Sequence, residues 1–168
     1  MAAAELTETT FPLQHLVPLV VKAQRAAASD WVVFNGYKGV MPMGAIGQSI
    51  AVSLQDTAMT YGAATVNGTV AATATSVVMS GAQITRVVPF YCLSYTGEVF
   101  EVIADSDEAS ATPTWTIERG CLGTTAAALT NADVVSILNI VILPANNVGP
   151  CMMVVLPLPE DNKAKLLV

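Results

Sequence analysis

The apolar positions of this chain fall in short runs of β-branched and aromatic residues, separated by glycine, proline and polar turns, with a period near two. Thr114, Thr116 and Glu118 alternate with Trp115 and Ile117, the pattern of a strand with one wet and one dry face, and Arg119-Gly120 breaks it. Trp31 to Phe34 predicts a buried strand closed by Asn35-Gly36, a strong turn dipeptide. The stretch from Gly36 to Gly47, with Gly39 and Gly44 inside it, reads as turns and a bulge. Ile46 to Leu54 alternates loosely, as a strand does, and Thr69 to Met79 holds one or two short strands before a turn at Ser80-Gly81. Val87 to Leu93 is an edge strand or a strand start, because Pro89 cannot donate to a ladder. Glu98 to Ile103, Asn131 to Leu143 and Cys151 to Leu156 complete the set, so the expected fold is all-β, a small β-barrel or β-sandwich.

The amino-terminal segment reads differently. Leu13, Leu16, Val17, Val20 and Val21 match a helical stripe, yet Pro18 breaks a helix begun at Leu13. A short helix with Pro18 in its first turn, running to Ser29-Asp30, satisfies both facts; an extended segment after Pro18 competes with it. The expected organisation is an arm with a short helix over 1–30, a β-rich core over 31–143 and a C-terminal arm over 144–168. Phe11, Leu13, Leu16, Leu156, Leu158, Leu166 and Leu167 are the arm residues expected to seek an interface.

Composition sharpens that expectation. Apolar residues make up 53% of the chain and charged residues 12%, against about 25% charged in ordinary soluble domains. The greasiest region, Val134 to Leu158, is interrupted by Ser136, Asn139, Pro144, Asn146, Asn147 and Pro150, so it holds no continuous membrane span of about 20 residues. Burial against further copies of the chain or another protein is the expected alternative, with no membrane partner. The net charge of −6 argues against direct binding to a nucleic-acid backbone, which needs clustered Lys and Arg. Met1 to Glu8 lacks the basic and apolar regions of a secretory signal, which points to a cytoplasm. In a reducing compartment Cys92, Cys121 and Cys151 are expected to remain thiols.

Candidate chemistry is sparse. His15 is the single histidine and lies in the predicted arm, away from every glycine-rich loop, so a nucleophile-base pair has one poor option. Three scattered cysteines do not form a zinc set, and Asp105, Asp107 and Glu108 lack the glycine and distant glutamate of a calcium loop. No phosphate-binding glycine loop and no Gly-x-Ser-x-Gly elbow occurs. The expectation is a non-enzyme with no cofactor or metal; a small hydrolase using His15 ranks far last.

One stretch carries a recognisable signature. Gly97-Glu98-Val99-Phe100-Glu101-Val102 is followed, after an acidic loop, by Trp115-Thr-Ile-Glu-Arg-Gly-Cys-Leu-Gly-Thr-Thr-Ala-Ala-Ala-Leu129 and then Ala132-Asp-Val-Val. This order resembles a small β-barrel-like module of tailed-bacteriophage virion proteins, marked by Gly-Glu-x-x-x-Val and Val-x-Arg-Gly-x-x-Gly-Thr-Thr-Ala-Ala-x-His. It covers about 69–137; Ile117 stands for the usual valine, and Leu129 lies near a position that is often polar or histidine. The resemblance implies a homo-oligomeric virion structural protein, assembled in the host cytoplasm, whose partners are itself and the major capsid protein or other virion proteins. Capsid decoration (cement) is the first expectation and a tail tube or neck component the second.

Within the signature Arg119, Gly120, Gly123, Thr124 and Thr125 are expected to form a structural loop: the glycines take positive φ, the threonine hydroxyls bond nearby backbone, and the guanidinium ties the loop to carbonyls or a carboxylate. Replacing Arg119 with Ala is expected to destabilise the protein by roughly 1.5–3 kcal/mol, seen as a lowered Tm.

Overall fold

The structure, a computed structural model, describes residues 18–25, 31–47, 60–80, 87–106, 110–142 and 149–160. Within them the chain forms ten strands: β1 (Leu19–Arg25), β2 (Trp31–Val33), β3 (Val40–Gly47), β4 (Thr60–Val66), β5 (Ser76–Ser80), β6 (Phe90–Ser94), β7 (Val99–Asp105), β8 (Thr114–Cys121), β9 (Val134–Ile142) and β10 (Gly149–Pro157). The fold is all-β, as the pattern predicts.

Six strands close into an antiparallel barrel in the order β9-β4-β5-β8-β7-β6, with β6 returning to β9 through Cys92↔Ile137, Leu93↔Ser136 and Ser94↔Val135. Closure removes the exposed edges that an open sheet of this apolar sequence would present. The interior follows the period of two. Trp115 and Ile117 of β8 are buried while Thr114, Thr116 and Glu118 are exposed, and on β5 Val77 and Met79 point in. Trp115 meets Phe90 edge to face at 5.4 Å between ring centroids, and its indole N–H donates to Asp105 Oδ2 at 3.0 Å. A buried indole thus keeps its polar atom paired.

Strand β9 serves two neighbourhoods. Along one edge it pairs with β4; along the other its first half pairs with β6 and its last three residues with β2, through Trp31↔Ile142, Val32↔Val141 and Val33↔Ile140. Its last turn of apolar residues then meets a second sheet, ordered β1-β10-β3. Phe34, Val40, Val141, Met153 and Val155 form the core between the two.

This second sheet revises three expectations. Residues Leu19–Arg25 are a strand, not a helix, in antiparallel register with β10 from Leu19↔Val155 to Arg25↔Gly149. A solitary helix of about ten residues is marginal in water, whereas a strand here gains a full ladder and suits the β-branched Val20 and Val21. The parts of both terminal segments that are described therefore do not leave the domain as arms: they pair with each other. The glycine-rich run 36–47 holds a strand, β3, whose register with β10 shifts at Val154/Val155. Pro42 is accommodated because β3 is an edge strand. The predicted strand from Ile46 to Leu54 lies largely outside the described residues; β5 falls in the expected stretch from Thr69 to Met79, and β4 is a strand that the pattern does not predict.

Truncating the barrel core at Trp115→Ala is expected to cost about 3–5 kcal/mol in chemical denaturation, and the exposed Ile103→Ala on β7 less than about 0.5 kcal/mol.

Candidate functional site

The ends of β4, β6 and β8 and the starts of β5, β7 and β9 lie at one end of the barrel, so the loops 67–75, 95–98 and 122–133 gather there. Two of these loops are joined by a reciprocal backbone bridge: Val70 N–H donates to Leu129 O and Leu129 N–H to Val70 O, both at 2.9 Å. Val70 and Leu129 also cap the apolar interior, being part of the same buried cluster as Trp115 and Phe100.

Arg119, on the last turn of β8, binds all three loops. Its Nε donates to Glu98 Oε1 at 2.7 Å and its Nη2 to Glu98 Oε2 at 2.6 Å, a bidentate pair with the loop before β7. Nη1 donates to Ala71 O at 3.1 Å in the β4–β5 loop, and Nη2 also donates to Ala127 O in the β8–β9 loop. Glu98 is buried and receives two further donors, Gly120 N–H at 3.1 Å on Oε1 and Ala127 N–H at 3.0 Å on Oε2. With four donors on its two oxygens the carboxylate is saturated. A carboxylate so held has no lone pair to offer a substrate proton, and the cluster is mechanical in character.

The glycines and one threonine make this geometry reachable. Gly120 has φ +64°, and a side chain there would put its Cβ 3.0 Å from Thr124 O, so glycine is favoured on both counts. Gly123 also has positive φ, in open space. Thr124 accepts from Val99 N–H at 2.9 Å and donates to Cys121 O at 2.8 Å, fastening the loop to the start of β7. Thr125 differs from expectation: it is exposed and its hydroxyl makes no hydrogen bond among the described residues.

Glu98 is not singled out as the partner of Arg119 by the residue pattern alone. Its available signal is its place in Gly97-Glu98, a carboxylate directly after a turn glycine and before an apolar run. Burial on its own raises the pKa of Glu98; the Arg119 guanidinium and the amides of Ala127 and Gly120 outweigh it and hold the carboxyl below its ordinary value.

A second charged cluster lies on the outer wall. Lys38 Nζ sits 2.8 Å from Glu101 Oε1 and 3.0 Å from Glu160 Oε2, and stands over the Tyr91 ring at 5.7 Å. Burial works to lower the Lys38 pKa, but the two carboxylates prevail and keep it well above the usual lysine range.

Of the expected interface residues, Leu158 packs within this chain, against the cluster of Tyr91, Val99, Cys121 and Leu138, and Leu156 is half-buried on β10. The reason is the pairing of β10 with β3, which carries the chain back across the barrel wall. Phe11, Leu13, Leu16, Leu166 and Leu167 lie outside the described residues, as do His15, Asp107 and Glu108. Cys92 and Cys121 are buried and outside any disulfide, and the Cys121 thiol donates to Glu118 O at 3.5 Å. Among the described residues no cluster of three or more His, Cys, Asp or Glu could hold a metal, and no helix is long and apolar enough to cross a membrane. No protein-family model matches the chain, and neither a curated protein nor a solved structure is matched by it.

The sign of the pH effect follows from the depressed Glu98 pKa: its stabilisation is complete above 4.5 and is lost as pH falls through the lower folded-state value. Glu98→Gln is expected to cost about 3–5 kcal/mol at neutral pH, because it leaves a nearly buried guanidinium unpaired. The gap between variant and parent, followed by denaturant titration at a series of pH values, is expected to stay constant above that point and narrow in acid.

Proposed function

We propose that this chain is a structural component of a tailed-bacteriophage virion, and that it acts as a capsid decoration protein without catalytic activity. The observation that carries the reading is where the signature falls in the fold. Glu98 from Gly-Glu-x-x-x-Val and Arg119, Gly120 and Thr124 from Arg-Gly-x-x-Gly-Thr-Thr are the residues that staple three loops over one end of a closed barrel. A sequence signature that marks a mechanical closure suits a protein selected to withstand load.

Apolar exposure supports an assembled state. Met41 and Met43 of β3 and Met152 of β10 are each more than two-fifths exposed, on a sheet whose partner strands lie at the chain ends. In this reading such side chains are covered by neighbouring copies or by the shell.

A tail tube or neck component is the second reading. It is favoured by the outer edges of β1 and β3, which form no ladder among the described residues and are suited to pairing around a ring.

Mixing purified protein with preformed, undecorated phage shells separates the readings. Discrete small oligomers that add to the shells at regular positions in electron micrographs are the expected result. Absence of shell binding, with growth of tubes or stacked rings, overturns decoration in favour of the tail; monomers that do neither overturn both.

A further inference from the structure

We infer that residues 158–160 form a strap that opens and closes over the outer wall of the barrel while the barrel stays folded, with Lys38 and Gly39 as its fixed socket. The strap starts where β10 ends its pairing with β3 at Pro157↔Val40, so lifting it unpairs no strand. Pro157 and Pro159 flank Leu158 and have no N–H, which leaves Leu158 the single backbone donor of that tripeptide. That donor bonds Gly39 O at 2.8 Å.

The socket is shaped for the strap. A Cβ on Gly39 would stand 2.8 Å from Leu158 Cδ1 and 3.1 Å from Leu138 Cβ, so the absent side chain is what lets Leu158 settle against the wall. Glu160 then reaches Lys38, but its own side chain is 65% exposed, which makes this half of the lock sensitive to salt.

Opening leaves no buried charge behind. Lys38 keeps Glu101, whose side chain is 8% exposed, and keeps its place over Tyr91. The socket itself is anchored from the barrel side, since Tyr91 N–H donates to Lys38 O and the Tyr61 hydroxyl donates to Val40 O at 2.8 Å. Among the described residues the moving part is thus held by one backbone bond, the packing of Leu158 on the Tyr91, Val99, Cys121 and Leu138 cluster, and one exposed ion pair, while the socket keeps its hydrogen bonds to Tyr91 and Tyr61 and the Lys38–Glu101 pair when the strap lifts. Elements held so lightly open at free energies well below global unfolding.

Amide-resolved hydrogen exchange on the full chain tests this, with the Leu158 amide reporting the strap and the Tyr91 amide reporting the socket. After correction for intrinsic rates, Leu158 is expected to exchange at least about ten-fold faster than Tyr91. Glu160→Gln is expected to speed Leu158 a further two- to five-fold or so without moving Tyr91, and about 0.5 M NaCl to do the same in the parent. A common rate for the two amides overturns the inference, as does a Glu160→Gln variant that shifts both amides together or leaves Leu158 unchanged.

Discussion

One guanidinium and one carboxylate, Arg119 and Glu98, hold the closed end of this barrel together. Taking both charges out of water is costly, and such a pair is tolerated only when its remaining lone pairs and N–H groups are satisfied. Here they are: Glu98 draws in Gly120 and Ala127 amides, and Arg119 donates from Nη1 to the Ala71 carbonyl and from Nη2, which also serves Glu98, to the Ala127 carbonyl. Apolar replacements of equal volume could fill the space, but they could not name which three loops must meet. The pair ties each loop at a particular group: Ala71 O, the Glu98 carboxylate and Ala127 O.

The same loops complete the apolar core. Val70 and Leu129 come from two of them, bond each other through their backbones and lie over the interior filled by Trp115, Phe90 and Phe100. A barrel of six strands is narrow enough to be filled by side chains, so its end must be stoppered by residues of the right size rather than left open. Polar clasp and apolar stopper are thus one construction, and weakening either exposes the other to water.

At the other end of β9 the chain solves a different problem. The last residues of that strand extend past β6, and β2 together with the β1-β10-β3 sheet covers them through Phe34, Val40, Met153 and Val155. The second sheet pairs Leu19–Arg25 with β10, and it brings Leu158 and Glu160 back onto the wall beside Lys38. Met153 of that sheet is buried in this core, whereas Met41, Met43 and Met152 are exposed, and neither outer edge of the sheet forms a ladder among the described residues.

The all-β class, the wet and dry faces of β8, the strand start after Pro89 and the glycine loop at Gly120 were legible from the residues alone, because alternation and positive-φ glycine are local properties. The arginine's need for a carbonyl or carboxylate was also legible, as chemistry, from Arg119 in its loop. Which carboxylate answered was not: Glu98 lies 21 residues away and is brought there by the β7–β8 pairing. The amino-terminal stretch misled for the same reason, since Leu19–Arg25 fits a helical stripe and a strand equally well and only β10, more than a hundred residues later, decides between them. Local pattern determined what each segment could be; long-range pairing, which no period encodes, decided which segments became neighbours and therefore where every buried charge found its partner.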